Sequence, residues 1–313
     1  MSSSLHSLDP RDVLLGALAI ITVWYLGVVW KAARKARERE RVTPDAPRLA
    51  TGFVANFFDT LGIGSFATST SIFRHWKLVR DERIPGTLNV GNTLPTILQA
   101  FIYTKIVPVD ARTLILMIAA AAVGAWVGAG VVSHWPRRRV QLGMGGALLA
   151  AAAIMLAAQF KLVPAGGDLL RLDGARLAVG LIGNLVLGML MTIGIGLYAP
   201  CMILVTLLGM NPTAAFPIMM GSCAFLMPIA SARFIKAEGY DPRASLGLLI
   251  GGAPAVLVAA FIVKSLPLDA VRWLVVIVVV YTAYGLLRGG WQRAAKGASV
   301  HADATAPVLA DAQ

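Results

Sequence analysis

Two stretches decide how this chain reads: Thr60-Leu-Gly-Ile-Gly-Ser-Phe-Ala67 and Thr192-Ile-Gly-Ile-Gly-Leu-Tyr-Ala199. Each sets a Gly-x-Gly break, Gly62/Gly64 and Gly194/Gly196, inside an apolar segment. They lie 132 positions apart (192 less 60). Three more pairs fall near that register: Asp110-Ala-Arg112 with Asp241-Pro-Arg243, Pro85 with Pro212, and Ser133 with Ser265. The chain therefore reads as two homologous halves, 50–161 and 177–288, each opening on a glycine-broken segment.

Composition sets the medium in which those halves fold. Of 313 residues, 57% are hydrophobic and 14% charged, against about 45–50% and about 25% in soluble domains. A chain of this size cannot hide that excess in one soluble core, so an all-α integral membrane protein is expected. The net charge of +12 would ordinarily point to nucleic acid. Here the basic residues form short clusters between apolar runs, the pattern of cytoplasmic loops, and no nucleic-acid partner is expected. Cys201 and Cys223 lie inside apolar runs with no Cys or His spacing suited to metal. No metal and no cofactor are expected.

Val13–Trp30 is 18 residues without a charge and reads as one extra transmembrane helix within 1–30, with no cleavage site behind it. Residues 31–49 form a basic cytoplasmic linker. Half one follows at 50–161, a loop at 162–176, half two at 177–288, and a polar tail at 289–313. Two topologies compete. If all nine segments cross, the halves are parallel, with 18 Lys/Arg inside and 10 outside. If the first segment of each half is a re-entrant hairpin tipped at its glycines, the halves are inverted and the count is 20 inside and 8 outside. The inverted arrangement is preferred, with the N-terminus outside and the C-terminus cytoplasmic in the inner membrane. Non-helical backbone at membrane depth must be surrounded by protein or a cavity, so the hairpin tips should line a pathway.

A helix that restarts after a break offers unpaired N–H groups and the positive end of its dipole. Two such ends facing each other in mid-membrane would hold an anion. Candidate binding residues are Thr60, Gly62, Gly64, Ser65 and Thr68 at the first break, and Thr192, Gly194, Gly196 and Tyr198 at the second. Asn89, Asn92 and Gln99 lie on an uncharged helix broken by Pro95. They either line the pathway or bond between helices. Asp59 is the one acid inside an apolar segment. It would carry a coupling proton, pair with Arg74, Lys77 or Arg83, or cap a helix of the hairpin. No sequence pattern for a hydrolase, a nucleotide-driven pump or any other catalytic residue set appears.

Gly52-Phe-Val-Ala-Asn56, Asp59-Thr-Leu-Gly-Ile-Gly-Ser-Phe-Ala67, Ile84-Pro-Gly-Thr-Leu-Asn-Val-Gly91 with Pro95 and Gln99, and Gly194-Ile-Gly196 together resemble the TauE/SafE family of sulfite exporters and toluenesulfonate permeases. The resemblance spans 50–288. It implies a two-repeat permease for sulfite, a sulfonate or a related organic anion, coupled to protons. Half two departs from the pattern: Asn211-Pro-Thr213 stands for Pro-Gly-Thr, and no acid matches Asp59. The expected partners are the lipid bilayer and a small anionic substrate, with a homodimer left open. A carrier for a cation or another metabolite using Asp59, and a non-transporting membrane scaffold or assembly subunit, are the alternatives.

Overall fold

The computed structural model describes residues 9–39, 41–131, 137–160, 162, 167–191, 196–265 and 267–304. Among them are eleven helices and no sheet: α1 Pro10–Arg37, α2 Ala46–Thr60, α3 Ser65–His75, α4 Ile84–Ile106, α5 Ala111–Val131, α6 Arg137–Gln159, α7 Gly174–Met191, α8 Tyr198–Leu207, α9 Ala215–Lys236, α10 Pro242–Ser265 and α11 Leu268–Ala304. Short 3-10 turns at Asp81–Arg83 and Pro212–Ala214 lead into α4 and α9. Five stretches are long and apolar enough to cross a membrane: Pro10–Arg37, Ala111–Gly128, Gly174–Met191, Pro212–Lys236 and Pro242–Ile262. α1 takes in the first basic residues of the expected linker, and α11 runs past its apolar stretch to Ala304. Ser133, Thr192 and Gly194 fall outside the described residues.

Both glycine-broken segments are pairs of helices. At about 1.5 Å per residue, the 15 residues of α2, 11 of α3 and 10 of α8 give about 22, 16 and 15 Å. None reaches across a hydrocarbon core of about 30 Å. Local chemistry fixes their ends. Asp45 caps α2 by accepting from the Arg48 amide, with Pro47 in the first turn. α3 closes by Leu78 N–H donating to the Phe73 carbonyl and Lys77 N–H to Arg74, with Lys77 at φ 50°. α8 closes by the same two bonds, Met210 to Val205 and Gly209 to Thr206, with Gly209 at φ 85°. Asp110 caps α5 through the Thr113 amide, and Asp241 caps α10 through the Ala244 amide.

Hydrogen bonds between loops sort the helix ends into two groups. At one end of the bundle Arg11 donates to the Val109 carbonyl, Asp110 N–H to Leu170, Leu169 N–H to Gly209 and Asn211 N–H to Leu169. The start of α7 and the finish of α8 therefore share this end with the α4–α5 connection. At the other end Lys35 and Arg39 reach Glu238, Arg243 reaches Thr43 and Asp45, Arg48 donates to the Leu78 carbonyl, and Asp241 N–H donates to Thr87. The start of α2 and the finish of α3 meet here. Hydrogen bonding to Lys35, reinforced by the charge of Arg39, holds the Glu238 carboxyl below its ordinary range. These pairs are exposed and add little stability.

Helix association in lipid lacks a hydrophobic drive and depends on close packing. α2 lies on α10 and α7 on α5, backbone against backbone. A Cβ added at Gly251 of α10 would overlap the Leu49 carbonyl, and one at Gly52 would meet Gly247 and Leu248. A Cβ at Gly124 of α5 would overlap the Leu185 carbonyl, and one at Gly188 of α7 the Ala121 carbonyl. α4 packs on α9 and α6 on α11. α4 is not broken at Pro95, as the sequence led us to expect. The helix runs through, with Pro95 seated over Gly252 of α10, where a side chain would not fit.

α9 forms the centre, with 72% of its apolar window buried against 17% for α1. Phe216, Met219, Met220 and Cys223 all point into its core. Large apolar chains left outside, such as Ile20 and Val23 on α1 and Trp126 on α5, form a surface that only lipid would cover. Replacing Gly188 or Gly251 by valine should lower stability in detergent by about 1–3 kcal/mol or more, because neither facing carbonyl can yield. Gly16→Ala, where nothing lies within 4 Å, should leave thermal unfolding nearly unchanged.

Candidate functional site: a buried carboxylate between two helix breaks

The break after α2 is made by Leu61–Gly64. Gly62 and Gly64 take φ of 95° and 85°, values that a side chain resists. The chain thus turns back, and the first amide of α3 faces the end of α2. Asp59 fills that place: its Oδ1 accepts the Ser65 N–H at 2.5 Å. Its Oδ2 accepts from Gln99 Nε2 on α4 at 2.9 Å, and the same nitrogen donates to Thr60 Oγ1 at 3.0 Å. Gln99 Oε1 in turn accepts from the Tyr198 hydroxyl at 2.9 Å. Tyr198 is the first residue of α8. One amide side chain therefore ties the first break to the helix that restarts after the second.

The cluster is closed to solvent. Asp59 is 3% exposed, Ser65 3%, Thr60 and Gln99 0%, and Tyr198 8%. Gly62 lies against Met202 of α8 and Met219 of α9. Among the alternatives for Asp59, the ion pair gives way to the cap. Arg74 turns instead to Asp81 at 3.0 Å, and among the described residues no Lys or Arg bridges to Asp59. A carboxylate in so apolar a place is costly unless donors surround it; here the helix end and the Gln99 amide provide them.

The sequence candidates separate into groups. Asp59, Thr60, Ser65, Gln99 and Tyr198 share one network, with Gly62 and Gly64 shaping it. Asn92 stands one step away: its Oδ1 accepts from Asn56 Nδ2 at 2.9 Å, linking α4 to α2. Asn56 Oδ1 and Asn92 Nδ2 remain buried without a partner. Asn89 lies nearer the start of α4 and donates back to the Pro85 carbonyl, so of Asn89, Asn92 and Gln99 the last two bond between helices and the first within its own. Thr68 is half-buried on α3 and Gly196 is exposed. Tyr103 and Asn56 were not singled out from the sequence. Tyr103 donates to the Thr60 carbonyl at 3.2 Å, and the Asn56 carbonyl accepts from Thr60 Oγ1 at 2.7 Å. Both were findable: Tyr103 is four positions past Gln99, and Asn56 four before Thr60, the spacing of one helix face.

The model of the sulfite exporter TauE/SafE family matches residues 2–163, just over half of the chain. The chain belongs to this family. Its members are membrane transporters and not enzymes, and this chain is a multi-pass membrane transporter among them. The matched stretch carries α1 to α6, and with them Asp59, Ser65 and Gln99. No curated protein and no solved structure matches.

Gln99→Leu would leave Asp59 Oδ2, Thr60 Oγ1 and the Tyr198 hydroxyl each short of a partner. It should destabilise the protein by about 2–4 kcal/mol, against about 0.5–1.5 kcal/mol for Tyr198→Phe, which removes one bond. Equilibrium unfolding of the detergent-solubilised variants checks that ranking.

Proposed function

We propose that this TauE/SafE protein is a secondary transporter that carries a small anion, such as sulfite, a sulfonate or a related organic anion, across the cytoplasmic membrane. The anion is taken up between the two helix breaks, and Asp59 carries the coupling proton. The observation behind this reading is the chain of bonds Tyr198–Gln99–Asp59–Ser65. It joins the starts of α8 and α3, two helix ends whose amides and dipoles favour negative charge. The side chains beside them, Thr60 and Tyr198, are neutral hydroxyls that now donate within the protein, to the Asn56 carbonyl and to Gln99 Oε1, and that could turn to sulfite or sulfonate oxygens. Because the cluster is closed, uptake requires that one break move away from the other, each carried with the helix its hairpin packs on.

The halves are read here as homologous and inverted. Four closing bonds support this: Phe73–Leu78 and Arg74–Lys77 recur 132 positions later as Val205–Met210 and Thr206–Gly209. Close packing recurs too, since Gly91 lies against Leu248 and Gly221 against Ile118, each 130 positions apart (221 less 91; 248 less 118). α2 and α3 have their outer ends at one end of the bundle, α7 and α8 at the other, as inversion requires. The basic loops at 31–48 and 74–83 then face the cytoplasm.

Two measurements test the reading. Single cysteines at Arg80 and Arg171, added to a protein whose own Cys201 and Cys223 are buried, should react with an impermeant thiol reagent from opposite sides of the membrane, Arg171 from outside. Labelling of both from one side would refute the inversion. In the purified protein, at least one of sulfite, simple sulfonates, sulfoacetate or small carboxylates should raise the melting temperature. At one hundred times its Kd the gain is about 2.7 kcal/mol. Vesicles containing the protein should accumulate that anion, and no flux for any of the set would remove the transport assignment.

A further inference from the structure

The start of α3 already holds an anionic group, and that group is part of the chain. Asp59 presents one oxygen to the Ser65 amide and the other to Gln99 Nε2, the bonds an oxyanion ligand would take. The donors a substrate needs are thus engaged while Asp59 is ionised. A second anion beside it would meet like charge in a medium of low dielectric. We propose that Asp59 is a resident stand-in for the transported anion: protonation withdraws it from the α3 amide, and the substrate's oxyanion takes its place. The inference rests on the transport reading above and gives that site its coupling rule, one proton for each anion.

The exchange balances. An O–H bond of hydronium breaks as the O–H bond on Asp59 forms, leaving water; no other covalent bond changes, and the arriving anion replaces the negative charge that has been neutralised. The hydrogen bonds rearrange with it. Protonated Oδ2 becomes a donor facing the donor Nε2, so the Gln99 amide must turn over and offer Oε1 to Asp59, giving up its bond to Thr60 Oγ1, which keeps its own donation to the Asn56 carbonyl. Nε2 then faces the Tyr198 oxygen, and the Tyr198 hydroxyl proton, previously held by Gln99, is freed for the substrate. Gln99 is here a positioning residue that conveys the protonation of one hairpin to the other. A further donor stands ready on the same helix, since Ser69 Oγ is buried without a partner one turn after Ser65. The titratable groups that sense the Asp59 charge are Tyr198 on α8 and Cys223 on α9. Tyr103 on α4 adjoins at Thr60.

The test uses the full-length protein in detergent and isethionate, whose sulfonate keeps its charge between about pH 5 and 8. Binding is measured by calorimetry together with proton uptake in weak buffer. In the wild type the dissociation constant should rise about tenfold per pH unit above the titration of Asp59, with one proton taken up per anion. Asp59→Asn, whose amide carries no charge, should bind with an affinity independent of pH and take up no proton. Binding to Asp59→Asn but not to the wild type also supports the stand-in role. Equal pH dependence in both proteins overturns it while leaving anion transport intact. Binding to neither at any pH overturns both the stand-in and the sulfonate reading of the site. If Asp59→Asn does not fold, proton uptake by the wild type decides alone: anion binding without uptake refutes the exchange.

Discussion

The structure depends on one constraint: inside a bilayer, a helix that stops must find partners for the backbone groups it frees. The break at Leu61–Gly64 frees the first amide of α3, and the chain answers with the Asp59 carboxylate. Burying that charge is unfavourable unless both oxygens are bonded, so Gln99 is held in one orientation. Its oxygen must then find a donor, and Tyr198 supplies it. Each step is forced by the one before. A polar residue that looks like a pathway lining is at the same time the device that keeps a buried turn in place.

The frame around this turn is built differently. α2 with α10 and α5 with α7 touch through main chain at Gly52, Gly251, Gly124 and Gly188. Such pairs are stiff, because no side chain lies between them to adjust. Polar side chains then pin the hairpins to the central helices: Asn56 to Asn92 on α4, and Asn184 to Ser222 on α9 at 3.3 Å. Stiff pairs joined by a few bonds favour movement of whole helix pairs over bending within them. α1 stands outside that frame but is tied along its length, by Arg11 to Val109, Tyr25 to the Val90 carbonyl at 2.5 Å, and Lys35 to Glu238.

Much of this was legible in the sequence, and the limits have physical reasons. Length and hydropathy gave the spans, Gly-Ile-Gly the breaks, and a lone acid in an apolar segment its importance. Gln99 and Tyr198 stood out as polar groups that a membrane interior would not tolerate idly. What the sequence left open is which helix touches which. Periodicity tells the face a residue occupies and not the partner that face meets, so the α2–α10 and α5–α7 pairs were not foreseeable. The same limit explains Asn89. It shares a broad face with Asn92, yet it sits close to the start of α4, where its own turn satisfies it at Pro85. Proline misled for a related reason. Pro95 removes one backbone bond, but packing over Gly252 holds the helix continuous through it.

The helix pairs α2–α3 and α7–α8 are alike in how their second helices close and unlike in chemistry. α3 and α8 close with the same bonds at matched positions, so the hairpins are built alike. Yet Met191, 132 positions after Asp59, is no acid, and the first residue of α8 sends its hydroxyl across to Gln99 of α4. Two acids facing each other at mid-membrane would repel, and each would need its own set of donors. One acid shared through one amide needs only a single set. An asymmetric pair of helix breaks therefore shares one network, with the Asp59 carboxyl on one side and the Tyr198 hydroxyl on the other.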